Sequence, residues 1–374
     1  MSALARLATR WRPAATPKNS FGPIGIDLTL ERMHLVQFRR DANSELQIRA
    51  QTSVAYPVSR DDVFETPHAL TPLLKAALRN APFSGRRAVI ALPGGTFRTM
   101  SVVYQVAAGQ SEAKILTSLM QDRIDGELSD YVIDFIPVRK STRDSERLAL
   151  VAASPRVAVT RFLEEFRRAG LEIETLEIGP LGIRRLVNSL PDMSRDDNVV
   201  VVNTGRATTY VTVLAGRRLL SDQDFRFGED ALLKRLSDSL DMSADSAHKL
   251  VMRTGLAPSN RGDQVSVALN ESGIFNTLLE IVKPELMRLV TEIERAVLFT
   301  ASETHGGKVS RIYLAGALSR WRGVDSALKH ILGLEVENLS APLEFFGTDG
   351  KTAGGSPDMA VAAGLALRGL TDDD

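Results

Sequence analysis

Apolar positions along this chain follow two alternating rhythms. Short runs bounded by turn residues, the first of them nearly all apolar, read as strands: Ile24–Asp27, Met33–Phe38, Leu46–Tyr56, Arg87–Leu92, Asn198–Asn203, Thr208–Leu214, Arg218–Phe225 and Arg311–Leu314. Between them, apolar residues recur at helical spacing. Leu70, Leu73, Leu74, Ala77 and Leu78 form one stripe within a predicted helix Pro67–Asn80. Further helices are predicted over Pro180–Leu190, Gly228–Leu240, Ser243–Arg253, Asn276–Thr304 and Val324–Leu332, with a loop over Thr254–Asp263. A separate block follows Pro93-Gly94-Gly95. It has strands Ser101–Gln105, Tyr131–Val138 and Arg147–Ala153, helices Ser111–Asp125 and Arg156–Ala169, and a returning strand Glu172–Glu177.

Strands and helices alternating on this scale predict an α/β protein. The halves on either side of the polar stretch Pro191–Asp197 open alike, with a hairpin, a third strand and then helices. Such internal similarity predicts two related domains around a cleft, with ligands outside the carboxyl ends of the strands. A chain of 374 residues is long enough for both cores.

Composition narrows the function. Lys plus Arg (46) balance Asp plus Glu (46), so bulk electrostatics do not point to nucleic acid. The absence of cysteine excludes disulfides and thiolate metal sites. Apolar runs fall well short of the roughly 20 residues of a membrane span, so a cytoplasmic location is expected. Residues 1–20 stand apart: Arg6, Arg10, Arg12 and Lys18 are basic, and no acid accompanies them. They read as a disordered leader broken by Pro13 and Pro17. The alternative is a short surface-binding helix presenting Leu4, Leu7, Ala8 and Trp11.

Three glycine-containing turns end apolar strands: Ile24-Gly25-Ile26-Asp27-Leu28-Thr29, Val202-Asn203-Thr204-Gly205 and Tyr313-Leu314-Ala315-Gly316-Ala317. Asp27 is the candidate metal-phosphate contact, acting through water and Mg²⁺; the plainer role is a strand-end cap. Thr204, Gly205 and Thr208 offer N–H and hydroxyl donors to a phosphate, or simply make a hairpin turn. Gly316 would pass under an adenine ring without a Cβ in the way, or start a helix. His34, His68, His248, His305 and His330 have no metal-ligand spacing and read as surface or core. Lys249 and Arg253 form a basic i, i+4 pair that reads as a solvated face.

The order of these turns is that of actin-like ATPases, and the chain resembles the PilM family of type IV pilus assembly, more distantly FtsA. The resemblance covers roughly Phe21 to Leu370. It rests on the opening turn, on Ala91-Leu92-Pro93-Gly94 with the inserted block, and on Arg168-Ala169-Gly170-Leu171. Phe225-Arg226-Phe227-Gly228-Glu229-Asp230, Leu314-Ala315-Gly316-Ala317 with Trp321-Arg322-Gly323, and Ala362 to Gly369 complete it. It implies a two-domain actin-like ATPase fold with an inserted 1C-type subdomain in domain I. The expected divisions are domain I over 21–95 and 172–195, subdomain 1C over 96–171, and domain II over 196–354 with a 2B insertion about 229–274. A C-terminal helix and acidic tail follow over 355–374. It further implies ATP and Mg²⁺ as cofactors, with Asp27, Thr29, Asn203, Thr204, Gly205, Gly228 and Gly316 facing the nucleotide and Asp27 the metal.

Departures from the family pattern weigh against nucleotide binding and, more strongly, hydrolysis. The first turn carries Thr29, Leu30 and Glu31 where glycine and serine are usual, and His34 stands at the lysine position. Asn203 replaces the second acid, and Ala315 and Glu229 replace glycines. Ser246 and His248 stand where the family has acids. The resemblance therefore implies an adaptor, held peripherally at the inner membrane by the cytoplasmic tail of a PilN-like bitopic protein lying between subdomains 1A and 1C. An assembly ATPase and self-association are further implied contacts. The alternatives are an active ATPase or sugar-kinase-like phosphotransferase, and an FtsA-like membrane-tethered filament.

Overall fold

The computed structural model describes residues 21–41, 45–107, 109–140, 146–191, 193–194, 196–256, 269–339 and 357–371. The basic leader, most of the expected loop over 254–263 and the last three acidic residues lie outside them.

The chain opens with β1 (Phe21–Leu28), β2 (Arg32–Arg40) and β3 (Leu46–Ala55), then α1 (Arg60–Glu65), α2 (Leu70–Asn80) and β4 (Arg87–Ala91). The inserted block holds β5 (Arg98–Gln105), α3 (Glu112–Leu119), β6 (Tyr131–Lys140) and β7 (Glu146–Pro155). Next come α4 (Arg156–Arg168), β8 (Glu172–Glu177) and α5 (Gly179–Asn188). The second half contains β9 (Asn198–Thr204), β10 (Thr209–Ala215), β11 (Arg218–Phe225), α6 (Glu229–Leu240), α7 (Ala244–Thr254) and α8 (Leu269–Glu303). It closes with β12 (Val309–Gly316), α9 (Val324–Leu332), β13 (Val336–Asn338) and α10 (Ala360–Ala366).

Two five-stranded sheets share one topology. Their orders are β3-β2-β1-β4-β8 and β11-β10-β9-β12-β13. In each, the first three strands run antiparallel and the last two join in parallel. The central strands read as apolar runs because both of their faces are covered: Ile24 and Ile26 on β1, and Val199 to Val202 on β9, are buried. The inserted block forms its own three-stranded sheet, β5-β7-β6, with a small core around Val102, Leu116, Met120 and Val151.

Several elements differ from the pattern-based expectation. The stretch 111–125 stays helical only over Glu112–Leu119; past Met120 the remaining residues form turns. The helix expected over 67–80 begins at Leu70, because His68 takes a left-handed φ of 64°. The long helix is longer than predicted, and buries Leu278, Val282, Leu286, Leu289 and Ile293 along one stripe. Its i, i+3 charge pairs Glu285–Arg288 and Glu292–Arg295 face outward.

Helix α10 is made almost entirely of small residues, all buried. Small residues let it lie directly on backbone: it packs on β1, β2, β4 and α5. Beside it, Glu177 at the end of β8 is held by Arg185 of α5 at 3.0 and 3.2 Å and by Arg368 after α10. Arg185 also donates to the Gly364 carbonyl at 3.0 Å. Helix α5 carries Ile183, Leu186 and Val187 into a core continuous with the second sheet, which joins the two halves at their base.

Candidate functional site

The two halves face each other across a cleft of about 350 Å³, lined by the β1–β2 turn, the β9–β10 turn, the loop after β4 and the end of β12. These are the carboxyl ends of the central strands, where α/β folds bind ligands. Of the seven sequence candidates, Asp27, Thr29, Asn203, Thr204, Gly205 and Gly316 line this cleft. Gly228 does not: it packs behind the second turn, where a Cβ would fall 2.1 Å from the Arg206 carbonyl oxygen.

The first turn is closed on itself. The Thr29 N–H and hydroxyl both donate to the Arg32 carbonyl at 3.0 Å, and the Arg32 N–H donates back to Thr29 Oγ1 at 3.1 Å. The threonine hydroxyl is thus spent on the turn, as Ser and Thr commonly are. The second turn is engaged in the opposite direction. Its Gly205 and Arg206 carbonyls accept the N–H groups of Glu229 and Asp230 at 3.0 and 2.9 Å. Those are among the first free amides of α6, the donors a helix N-terminus would otherwise offer an anion. The Thr204 carbonyl accepts from the Ala317 N–H at 2.6 Å. Gly316, at φ +76°, makes that approach possible: a Cβ there would sit 2.3 Å from the Thr204 oxygen.

Arg60, Arg206, Arg320 and Asp358, not singled out from the sequence, also line the cleft. Arg206 bridges Glu31 of the first turn (3.5 Å) and Asp230 of α6 (2.7 Å). Arg320 bridges Glu229 (3.4 Å) and Asp358 (3.2 Å). Glu229 is buried and also accepts the Trp321 indole N–H at 2.8 Å. His248 approaches the same carboxylate at 3.8 Å, while Lys249 pairs with Asp245 on the exposed side of α7. Arg60, buried, donates to the Gly94 carbonyl at 3.1 Å.

Burial dominates the titration of this cleft. It pushes the Asp27 carboxyl up to about 7 against the pull of the Arg60 guanidinium. It pushes Asp222 up to about 7 as well, against a 2.7 Å hydrogen bond from the Thr212 hydroxyl. Burial, reinforced by Asp224, raises the Tyr210 phenol to about 12. It drives His34 down to about 3, so that ring is neutral. Of the residues lining the cleft, His34 Nδ1 and Asp358 Oδ1 are buried with no hydrogen-bond partner among the described residues. The floor therefore keeps polar capacity for water or a small polar ligand. Among the described residues, no three His, Asp or Glu side chains are placed to hold a metal ion. Two further acids that line the cleft, Asp222 and Asp224, sit in the polar second half of β11.

These shifts predict a pH dependence with a definite sign. The native state keeps a proton on Asp222 that the unfolded chain, with an ordinary value of 3.8, has already released. Stability therefore falls as pH rises from about 4 to about 7 and levels off above, and Asp27 adds to the same slope. Asp222→Asn, which still accepts from Thr212, removes part of that slope. At pH 8 it should be the more stable protein, by on the order of 3 kcal/mol. Urea unfolding of both proteins between about pH 4.5 and pH 8 tests this; parallel curves would rule it out.

The model for the family described as "Type IV pilus assembly protein PilM" matches residues 25–370. A search of curated proteins finds no match. Among solved structures, the fold is similar to one described as a PilM-PilN type IV pilus biogenesis complex, at 21% identity and a TM-score of 0.72, covering 94% of this chain and 99% of that one. It is also similar to the ethanolamine utilization protein EutJ from Carboxydothermus hydrogenoformans, at 15% identity and a TM-score of 0.53, covering 97% and 95%. The fold is that of the actin-like ATPases, as the sequence resemblance implied.

Proposed function

The chain belongs to the PilM family of type IV pilus assembly proteins, and on that premise we propose that it is an adaptor binding the cytoplasmic tail of a PilN-like membrane protein. The observation that carries this reading is the family match over residues 25–370. Among the described residues no helix is long and apolar enough to cross a membrane, so attachment through a partner's tail suits this chain.

Two hollows where the inserted sheet meets the first half support this reading. Val63 and Phe64 of α1, Leu70 of α2, Pro93, and Val159 and Phe162 of α4 line an apolar hollow of about 140 Å³. A second hollow of about 100 Å³, under Phe97, Val132 and Phe135, shares the wall formed by Leu92, Ser154 and Val159. Val157, 79% exposed, lies on the same turn of α4. Two adjoining apolar hollows suit an extended peptide that inserts alternate side chains.

The cleft supports binding over turnover. Glu31 would repel a polyphosphate at the first turn. The second turn's carbonyls already occupy the first amides of α6, and Asn203 leaves that turn without an acid. This donor set fits Mg-ATP poorly, because phosphoryl transfer depends on metal ions and donors held against the phosphates.

Anisotropy of a labelled tail peptide tests the reading. Ala158 is exposed and lines the first hollow, so Ala158→Trp fills the hollow without touching the core. We expect affinity to fall by a factor of ten or more with the unfolding midpoint unchanged. Wild-type affinity in this variant would remove the groove from the proposal. Steady phosphate release from Mg-ATP by the intact protein would remove the adaptor-without-turnover reading.

A further inference from the structure

Three contacts cross the mouth of the cleft. At the tips of the two strand turns, Glu31 from the first half meets Arg206 from the second at 3.5 Å. Both ends are braced. The Glu31 carbonyl accepts the Tyr56 N–H at 3.1 Å, and the Arg206 guanidinium is clamped by Asp230 through both Nε (2.8 Å) and Nη2 (2.7 Å). On the opposite wall, Arg320 leaves the turn after β12 and reaches Asp358, in the short turn that leads into α10 and lies between β12 and β2. Arg320 is held in place by Glu229, itself fixed by the indole of the fully buried Trp321. Between them, Tyr210 of β10 presses its hydroxyl onto the loop after β4. A Cβ at Gly94 would stand only 1.9 Å from that oxygen, so glycine is what lets the two halves approach there.

We infer that the Glu31–Arg206 and Arg320–Asp358 pairs form a built-in latch that holds the two halves together across the cleft. The physical basis is geometric. Glu31 and Arg206 stand on opposite halves, Arg320 ties the second half to the turn that leads into α10, and both pairs pivot on a cation anchored to a second carboxylate of the second half. An anchored guanidinium loses little further side-chain freedom on closure, which is the usual cost of a surface pair. The two pairs differ in exposure. Arg206 is half-exposed, whereas Asp358 is mostly buried, so salt weakens the first pair more than the second. Opening must also separate Tyr210 from Gly94. The inference stands apart from the adaptor reading, since it concerns the shape of the free protein.

The cysteine-free sequence makes the test direct. Lys75→Cys on α2 and Lys234→Cys on α6 place one spin label on each half at exposed sites. Without ligand, this protein should give one narrow distance distribution by pulsed electron paramagnetic resonance. Arg206→Glu with Asp230→Asn should add a second, displaced population of several-fold greater weight than in the parent. Adding Glu31→Arg, which restores an attractive pair of reversed sense, should return the narrow distribution. An unchanged distribution in the two-charge variant would overturn the latch. So would opening that Glu31→Arg fails to reverse. Should the variants not fold, raising NaCl from about 0.05 to about 1 M on the labelled parent decides the matter. A salt-induced second population supports the latch, and an invariant distribution overturns it.

Discussion

Gly364→Ala should leave little stably folded protein, although the change adds one methyl group and raises helix propensity. In the structure, that methyl carbon would lie 1.8 Å from the Gly182 carbonyl oxygen and 2.3 Å from its carbon. Both are backbone atoms of α5, so no side chain can turn aside. Helix α10 must move off α5, yet its other face rests on β1. There a Cβ at Gly25 would stand 2.0 Å from the Ala362 carbonyl oxygen. Overpacking a core commonly costs about 1–3 kcal/mol, and a backbone-on-backbone clash held from two sides belongs at or above the top of that range. Gly25→Ala should be comparably damaging. Gly182→Ala, whose Cβ would meet the nearest backbone oxygen at 2.9 Å, should be milder. Gly273→Ala is the control: it lies within α8 with nothing inside 4 Å, and should gain roughly 0.5–1 kcal/mol. Thermal unfolding of the four variants checks the ranking. A Gly364→Ala midpoint within a degree or two of wild type would show that α10 is not seated as described.

That result also bears on what the opening turn means. Read as sequence, Gly25 belongs to a phosphate-type turn. In the structure it lies inside β1, and its missing side chain makes room for α10 rather than for a ligand. The hydrophobic pattern carried the central strands, the hairpin order in both halves and the α8 stripe, because each depends on neighbours close in sequence. Elements too short to show a period escaped. Helix α1 has six residues with a single apolar core residue, Val63, behind a Ser59 cap, and β13 has three residues.

The site was legible only in part, for a related reason. Asp27, Asn203 and Gly316 could be picked out because each closes a strand. Arg60, Arg206, Arg320 and Asp358 could not, since their meaning lies in partners far along the chain: Gly94, Glu31, Glu229 and again Arg320. Glu229 is the instructive case. Its substitution for a glycine was visible, but its use was not: it fills its place with a buried carboxylate that holds Trp321 and Arg320.

Glu177→Ala should be the most damaging side-chain truncation outside the glycine contacts. Glu177 and Arg185 are each only 2% exposed and pair at 3.0 Å, with Arg368 joining from the more open side. Three elements meet at this carboxylate: the end of β8, helix α5 and the segment after α10. Removing it leaves the buried Arg185 guanidinium without its carboxylate, although the Gly364 carbonyl still accepts from it. Breaking a buried pair from one side costs about 3–5 kcal/mol, chiefly because the surviving charge is stranded. Glu177→Gln keeps the shape and should cost nearly as much, since the missing quantity is charge. Arg368, 31% exposed, can turn toward solvent and is not stranded in either variant. The contrast that isolates the cause is Glu177→Leu with Arg185→Met. Removing both charges at similar volume should bring stability back to within about 1 kcal/mol of wild type, because a buried ion pair roughly offsets its own desolvation. Denaturant midpoints for the three proteins give the answer. If the double variant is as unstable as Glu177→Ala, the pair itself, and not the stranded cation, holds β8, α5 and α10 together.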